Sequence, residues 1–141
     1  MATLTVQDVM TRDVTSIVRD LTVDIALQMM LEHEVRRLPV LGEDDRLIGI
    51  ITQAQAQLAL PRGSTYYSAS PLEDVPLVRD VMTVNVFTVG PDEPVVRAAR
   101  LMLGQHIGAL PVVEDRKVVG IVTESDLFET LVDLLEKAPN A

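Results

Sequence analysis

An α/β fold of the α+β type, one strand-helix-strand-strand-helix unit used twice, is what the sequence predicts. Three observations lead there. Val6-Gln7-Asp8-Val9-Met10-Thr11 recurs as Val78-Arg79-Asp80-Val81-Met82-Thr83, a shift of 72 positions. Behind each occurrence comes one helical apolar period and then two short, nearly continuous apolar runs. Apolar residues fill 48% of the 141 positions and aromatics only 3%, so the core must be built from Val, Leu, Ile, Met and Ala.

The repeat extends well past its opening motif. With the same shift, Val14 meets Val86, Asp20 meets Asp92, Val23 meets Val95 and Ala26 meets Ala98. Met30-Leu31 meets Met102-Leu103, and Leu38-Pro39-Val40 meets Leu110-Pro111-Val112. After the next turn the shift falls by one, so that Gly49-Ile50 meets Gly120-Ile121 and Thr52 meets Thr123. A single deletion in a turn is what two copies of one folded unit tolerate. The copies span 1–62 and 78–141, with a connector over 63–77. Each is too small to bury a good core alone, which predicts packing of one copy on the other about an approximate two-fold axis.

Each element has its own signal. Thr15 to Val18 and Phe87 to Val89 are short β-prone runs. Val23, Ala26, Leu27, Met30 and Leu31 lie on one helical face, as do Val95, Ala98, Ala99, Met102 and Leu103, with Pro94 placed for the first turn. The methionines on these faces read as core filler. Leu38–Leu41 with Leu47–Ile51, and Leu110–Val113 with Val118–Val122, predict buried hairpins, then helices over 53–60 and 124–137. Near-continuous apolar strands imply a sheet covered on both faces. In the Pro-, Gly- and Ser-rich connector, Tyr66 and Tyr67 anchor the segment or pack at a cleft or an oligomer contact.

Composition also excludes. A formal charge of −9 argues against a non-specific nucleic-acid surface, which needs clustered Lys and Arg. The absence of cysteine removes disulfides, zinc–thiolate sites and thiol nucleophiles. No catalytic cluster, phosphate loop or metal-ligand spacing stands out, and His33 and His106 read as surface or helix-end residues. No apolar run approaches a membrane span and the N-terminus lacks a leader pattern, so the expectation is a cytoplasmic protein without direct membrane insertion.

The chemistry gathers at Gly120-Ile121-Val122-Thr123-Glu124-Ser125-Asp126, where a strand runs straight into a helix. Thr123 and Asp126 form a capping box, which needs no ligand. The same helix start offers free N–H groups and a positive dipole end to an anionic or hydroxyl-rich ligand. The duplicate, Gly49-Ile50-Ile51-Thr52-Gln53-Ala54-Gln55, keeps the capping pattern but puts Gln55 where the acid stands.

Together, the doubled Asp-Val-Met-Thr opening, the Leu-Pro-Val strand and the Gly-Ile-Val-Thr-Glu-Ser-Asp ending resemble the cystathionine-β-synthase (CBS) domain. The resemblance covers Val6 to Leu135 and is to a stand-alone tandem pair, or Bateman module. It implies two repeats packed through their sheets with clefts for adenosine-containing ligands: AMP, ADP, ATP or S-adenosylmethionine. It further implies no required cofactor, a homodimer, and an unidentified regulated protein as partner. By the same resemblance, Thr123, Ser125 and Asp126 contact ribose and phosphate, while Ala26, Val35, Arg36, Arg37, Leu38 and Pro39 supply an adenine slot and cations. Arg36 and Arg37 are otherwise surface charges paired with Glu32 or Glu34. The implied function is a non-catalytic ligand sensor with one competent site at Thr123/Asp126 and a weak or empty one at Thr52/Gln55. A ligand-free dimerisation module is the alternative, and an enzyme ranks below both.

Overall fold

The computed structural model describes residues 3–61 and 75–137. Tyr66, Tyr67 and most of the connector lie outside the described residues. In chain order the elements are α1 (Val6–Val9), β1 (Ile17–Val18), α2 (Val23–His33), β2 (Arg37–Leu41), β3 (Leu47–Thr52), α3 (Gln53–Ala59), α4 (Val78–Val81), α5 (Val95–Gln105), β4 (Ala109–Glu114), β5 (Lys117–Thr123) and α6 (Glu124–Lys137). A 3₁₀ turn at Glu43–Asp45 closes the β2–β3 hairpin. The mixed helix-and-strand order thus occurs twice. Two four-residue helices, α1 and α4, form where the repeated Asp-Val-Met-Thr motif carries no helical period long enough to announce them.

The compact units are cut differently from the sequence copies. One runs from Thr15 to Val86; the other joins Met1–Val14 to Phe87–Ala141 and is called the split unit below. The opening segment of each copy therefore packs with the body of the other copy. Val6 of α1 is fully buried in the split unit's core with Val89, Ala98, Met102, Leu110, Val112 and Val122. Its counterpart Val78 is fully buried with Ile17, Ala26, Leu27, Met30, Leu38, Val40 and Ile51. Burying one such valine is worth about 1.5–3 kcal/mol, enough to hold a short helix that has little stability of its own. Met30 and Met102 are core filler, as their helical spacing implies.

Backbone hydrogen bonds clip each opening segment at both ends. Val6 N donates to Glu93 O at 2.8 Å and Val95 N to Leu4 O at 3.0 Å; in the other unit Val78 N donates to Leu21 O and Val23 N to Pro76 O. At the far end Thr11 N and Ile121 N donate to each other's carbonyls at 2.8 and 2.9 Å, and Thr83 and Ile50 do the same at 2.9 and 3.0 Å. Within α1, the Asp8 carboxylate accepts from the Thr5 N–H at 2.8 Å and the Thr5 hydroxyl at 2.9 Å. Those bonds favour the charged form and hold the Asp8 carboxyl below its usual range.

The sheets are β1-β2-β3 and β4-β5. In β2 and β4 the consecutive residues Leu38-Pro39-Val40 and Ala109–Val112 are buried, so these strands are covered on both faces; β3 and β5 alternate instead. The runs predicted over Thr15–Val18 and Phe87–Val89 come out shorter. The first keeps only Ile17–Val18, and the second makes a single parallel bridge from Val89 to Val112. Proline sets the limit. Val89 N donates to Pro111 O and Val113 N to Val89 O, so the next parallel pairing, at Phe87, would need an N–H on Pro111. Pro39 stands in the matching place beside the parallel pair Ile17 and Val40.

Glycine makes the docking possible at two positions. A Cβ on Gly120 would lie 3.0 Å from Thr11 O and collide with Met10 Sδ; one on Gly49 would lie 2.8 Å from Thr83 O and 2.6 Å from Met82 Sδ. The methionines can swing aside, but the carbonyls belong to the paired backbone. Gly49→Ala and Gly120→Ala should each lower unfolding stability by about 1–3 kcal/mol, the usual effect of overpacking. Gly104→Ala, where nothing lies within 4 Å of the added carbon, should not destabilise. Chemical denaturation of the three variants checks the ranking.

Candidate functional site

In the split unit β5 ends at Thr123 and α6 begins at Glu124 with no loop between them. The capping box is complete: Thr123 N donates to Asp126 Oδ2 at 2.9 Å, and Asp126 N to Thr123 Oγ1 at 3.2 Å. Glu124 N donates to Gly108 O at 3.0 Å, which leaves fewer unpaired donors at this helix start. A further bond comes from the opening segment, as the Thr11 hydroxyl donates to Asp126 Oδ1 at 3.3 Å. Asp126 is half-buried, and Ser125 is exposed on the first turn of α6.

The Thr15–Val86 unit repeats this arrangement with a longer amide side chain, Gln55, in place of the acid. Thr52 N donates to Gln55 Oε1 at 2.9 Å and Gln55 N to Thr52 Oγ1 at 3.2 Å, matching the distances around Asp126. Because the Thr52 N–H can only donate, it turns the amide oxygen of Gln55 inward and the NH₂ outward. That NH₂ donates to Thr83 Oγ1 at 2.8 Å. The two opening threonines thus play opposite parts: Thr11 donates to an acid, whereas Thr83 accepts from an amide and keeps its own proton.

Counting what is left over separates the junctions chemically. A carboxylate has about four lone-pair positions on its two oxygens. Within this network Asp126 uses one on each oxygen, which leaves one acceptor site on each for a pair of neighbouring hydroxyls. Gln55 likewise spends one acceptor and one donor, and it retains one of each. It cannot accept from two hydroxyls.

The other residues singled out from the sequence lie in the Thr15–Val86 unit. Ala26 and Leu38 have no exposed surface, and Pro39 is fully buried with them. These three side chains belong to the core of that unit, where α2 packs its small face on the buried centre of β2, so what these positions can offer a ligand is their backbone groups. Val35 and Arg37 are half-buried and Arg36 is exposed. Arg36 presents its carbonyl to Gln53 N at 2.8 Å, so it stands beside the Thr52/Gln55 junction of its own unit as Gly108 stands beside Thr123/Asp126. Neither arginine pairs with Glu32 or Glu34; Glu32 accepts from Gln28 Nε2 instead. His106 is the left-handed C-cap of α5, and His33 ends α2. Among the described residues no group of His, Asp and Glu could hold a metal ion, and no helix is long and apolar enough to cross a membrane. Thr11 and Thr83 were legible only as markers of the repeat, because hydrogen bonds over 115 and 28 positions leave no local pattern.

A helix, a hairpin and a second helix joined to it by a capped strand-to-helix junction, all used twice, define a tandem-repeat domain pair. The profile of the CBS domain matches residues 6–60 and 78–133, and the chain belongs to the CBS domain family. It is 35% identical over 142 aligned positions to a CBS domain-containing protein of Dictyostelium discoideum, with 95% of each covered. It is 33% identical over 123 residues to a homoserine O-acetyltransferase of Methanohalobium evestigatum, covering 86% of this chain but only 23% of that protein. Among solved structures, the CBS domain pair of protein MJ0100 in complex with 5′-methylthioadenosine and S-adenosyl-L-methionine is similar at a TM-score of 0.79 and 28% identity. That match covers 94% of this chain and 98% of the other. CBSX2 in complex with AMP gives 0.77 and 29%, with 93% and 98% covered.

The bond pattern yields a stability prediction. Asp126→Asn can keep its oxygen on the Thr123 N–H and turn its amide to Thr11, copying the Gln55–Thr83 pair. It should unfold within about 0.5 kcal/mol of the native chain. Asp126→Ala loses the cap and the Thr11 partner and should cost about 1–2 kcal/mol. Urea denaturation of both variants checks the difference.

Proposed function

We propose that this chain is a non-catalytic regulatory module. It binds an adenosine-containing ligand of the AMP, ADP, ATP or S-adenosylmethionine class through Thr123, Ser125 and Asp126. Ligand binding biases the conformation of the module and so of a regulated protein. The observation that carries this reading is Asp126, a carboxylate with one free acceptor position on each oxygen, held at a helix start. A ribose diol offers two neighbouring donors to such a group, and charge-assisted bidentate pairs are the strong ones. The α-phosphate suits the Thr123 hydroxyl and the remaining N–H groups of the first turn. The ligands in the solved relatives, AMP, S-adenosylmethionine and 5′-methylthioadenosine, all carry that diol. Acetyl transfer is not carried over, since the chain spans 23% of the homoserine O-acetyltransferase named above.

A ligand-free dimerisation module is the second reading, favoured by Gln55 at the other junction. Calorimetric titration with AMP, ADP, ATP, NAD and S-adenosylmethionine separates the two. At a hundred times its Kd a ligand should raise stability by about 2.7 kcal/mol. Asp126→Asn, which preserves the cap, should weaken that ligand by roughly tenfold or more, the loss of one charge-assisted bond. Gln55→Asp should create or strengthen binding at the Thr52 junction. Unchanged affinity in Asp126→Asn would sink the assignment, and no binding by any of the five would favour the second reading.

The module also acts as a homodimer in this proposal. The whole of α6 contributes no fully buried side chain, yet Phe128, Leu131, Leu134 and Leu135 lie along one stripe and are 64, 50, 52 and 56% exposed. Covering such a stripe is favourable in proportion to its apolar area. Sedimentation equilibrium at micromolar concentration should give twice the mass of the 15.5 kDa chain, and Leu131→Glu should return it to the monomer. A native chain that sediments as a monomer would remove dimerisation from the proposal.

A further inference from the structure

We infer that Thr11, in the opening segment of the first copy, is a positioning residue that sets the diol selectivity of Asp126 in the split unit. The inference rests on the adenosine-ligand reading above and adds to it a residue 115 positions away in sequence.

The geometry is that of a carboxylate held from two sides. Thr123 N–H holds Oδ2 at 2.9 Å and the Thr11 hydroxyl holds Oδ1 at 3.3 Å. One donor alone leaves a carboxylate free to rotate about its Cβ–Cγ bond; a second donor on the other oxygen fixes the plane. With the plane fixed, the two unused acceptor positions point in set directions and accept two vicinal hydroxyls without further ordering. Preorganisation of this kind raises affinity by removing an entropic cost that binding would otherwise carry. Thr11 is itself well placed to do this. Its backbone exchanges hydrogen bonds with Ile121 at 2.8 and 2.9 Å, so the hydroxyl is presented from a fixed main chain. Close approach at Gly120 is what lets that main chain come near enough.

The other unit shows that this tie can carry either polarity. Thr83 occupies the equivalent backbone pair with Ile50, but there its hydroxyl accepts from the Gln55 amide. A threonine at the end of the opening segment therefore suits both side chains, and the partner at the helix start decides whether the junction receives two donors or one. At 3.3 Å the Thr11 bond is longer than the 2.7–2.8 Å usual between hydroxyl and carboxylate oxygens, so its effect is that of a modest hydrogen bond.

The test measures selectivity. Affinities for AMP and for 2′-deoxyadenosine monophosphate are measured by calorimetry on the full chain, for the native protein, Thr11→Val and Thr11→Ser. Native protein should prefer AMP. Thr11→Val should narrow that preference by about fivefold, mostly through weaker AMP binding, and Thr11→Ser should restore it. Thr11→Val that weakens both ligands equally would mark a merely structural residue and overturn the inference. So would an unchanged preference. If the native chain binds neither ligand this inference fails, and only if it also binds none of ADP, ATP, NAD and S-adenosylmethionine does the adenosine reading fail with it, so the two failures are distinguishable. Thermal melts of the ligand-free variants identify any Thr11→Val protein that has not folded, and Thr11→Ser then decides alone: a preference equal to the native one supports the inference, and its loss overturns it.

Discussion

Two reciprocal backbone pairs, Thr11 with Ile121 and Thr83 with Ile50, are the constraint on which the rest of the molecule depends. Each seats the opening segment of one sequence copy on the hairpin of the other. Seating requires a strand position without a Cβ, which Gly120 and Gly49 supply. It delivers a buried valine, Val6 or Val78, to a core that its own copy does not contain. It also brings a threonine hydroxyl to the third residue of the helix that follows the hairpin. Core completion and the chemistry of the junction are thus consequences of one docking event.

At the junction, capping and the proposed recognition draw on the same atoms. The first turn of α6 needs an acceptor for the Thr123 N–H whether or not any ligand exists, and both Asp and Gln provide one. What differs is the remaining valence. After the cap and the threonine tie are satisfied, the acid retains two acceptors and the amide retains one acceptor and one donor. The two junctions match in their capping distances and differ in the hydrogen-bonding positions left over. A single side chain makes that difference, and it does so without altering the helix start.

The helices divide the load unevenly. α2 places Val23, Ala26, Leu27 and Met30 in a core, whereas α6 has no fully buried side chain and exposes its apolar stripe. Ala26 and Leu38 illustrate the consequence for reading a site from a family pattern. Their small or branched apolar side chains suit a protein core as well as a ligand slot, and their complete burial is a tertiary fact that the pattern does not carry. Pro39 and Pro111 act differently, through the missing N–H that keeps the parallel pairing from starting before Ile17 and Val89.

The sequence by itself determined the duplication, which is a direct match of residues 72 positions apart; it also determined the helix, hairpin and capped junction of each copy, because these depend on spacing within about a dozen residues. It also distinguished Asp126 from Gln55, since that difference is one of side-chain identity. It did not reveal α1 and α4, whose four-residue helices are held by tertiary burial and not by their own propensity. Nor did it reveal that each opening segment belongs to the other copy's unit, or that Thr11 and Thr83 reach the helix starts. Both follow from hydrogen bonds between residues far apart in sequence, and the two copies carry identical local signals for either pairing. Tertiary structure decided between them, through a bare glycine, a paired backbone and the burial of one valine.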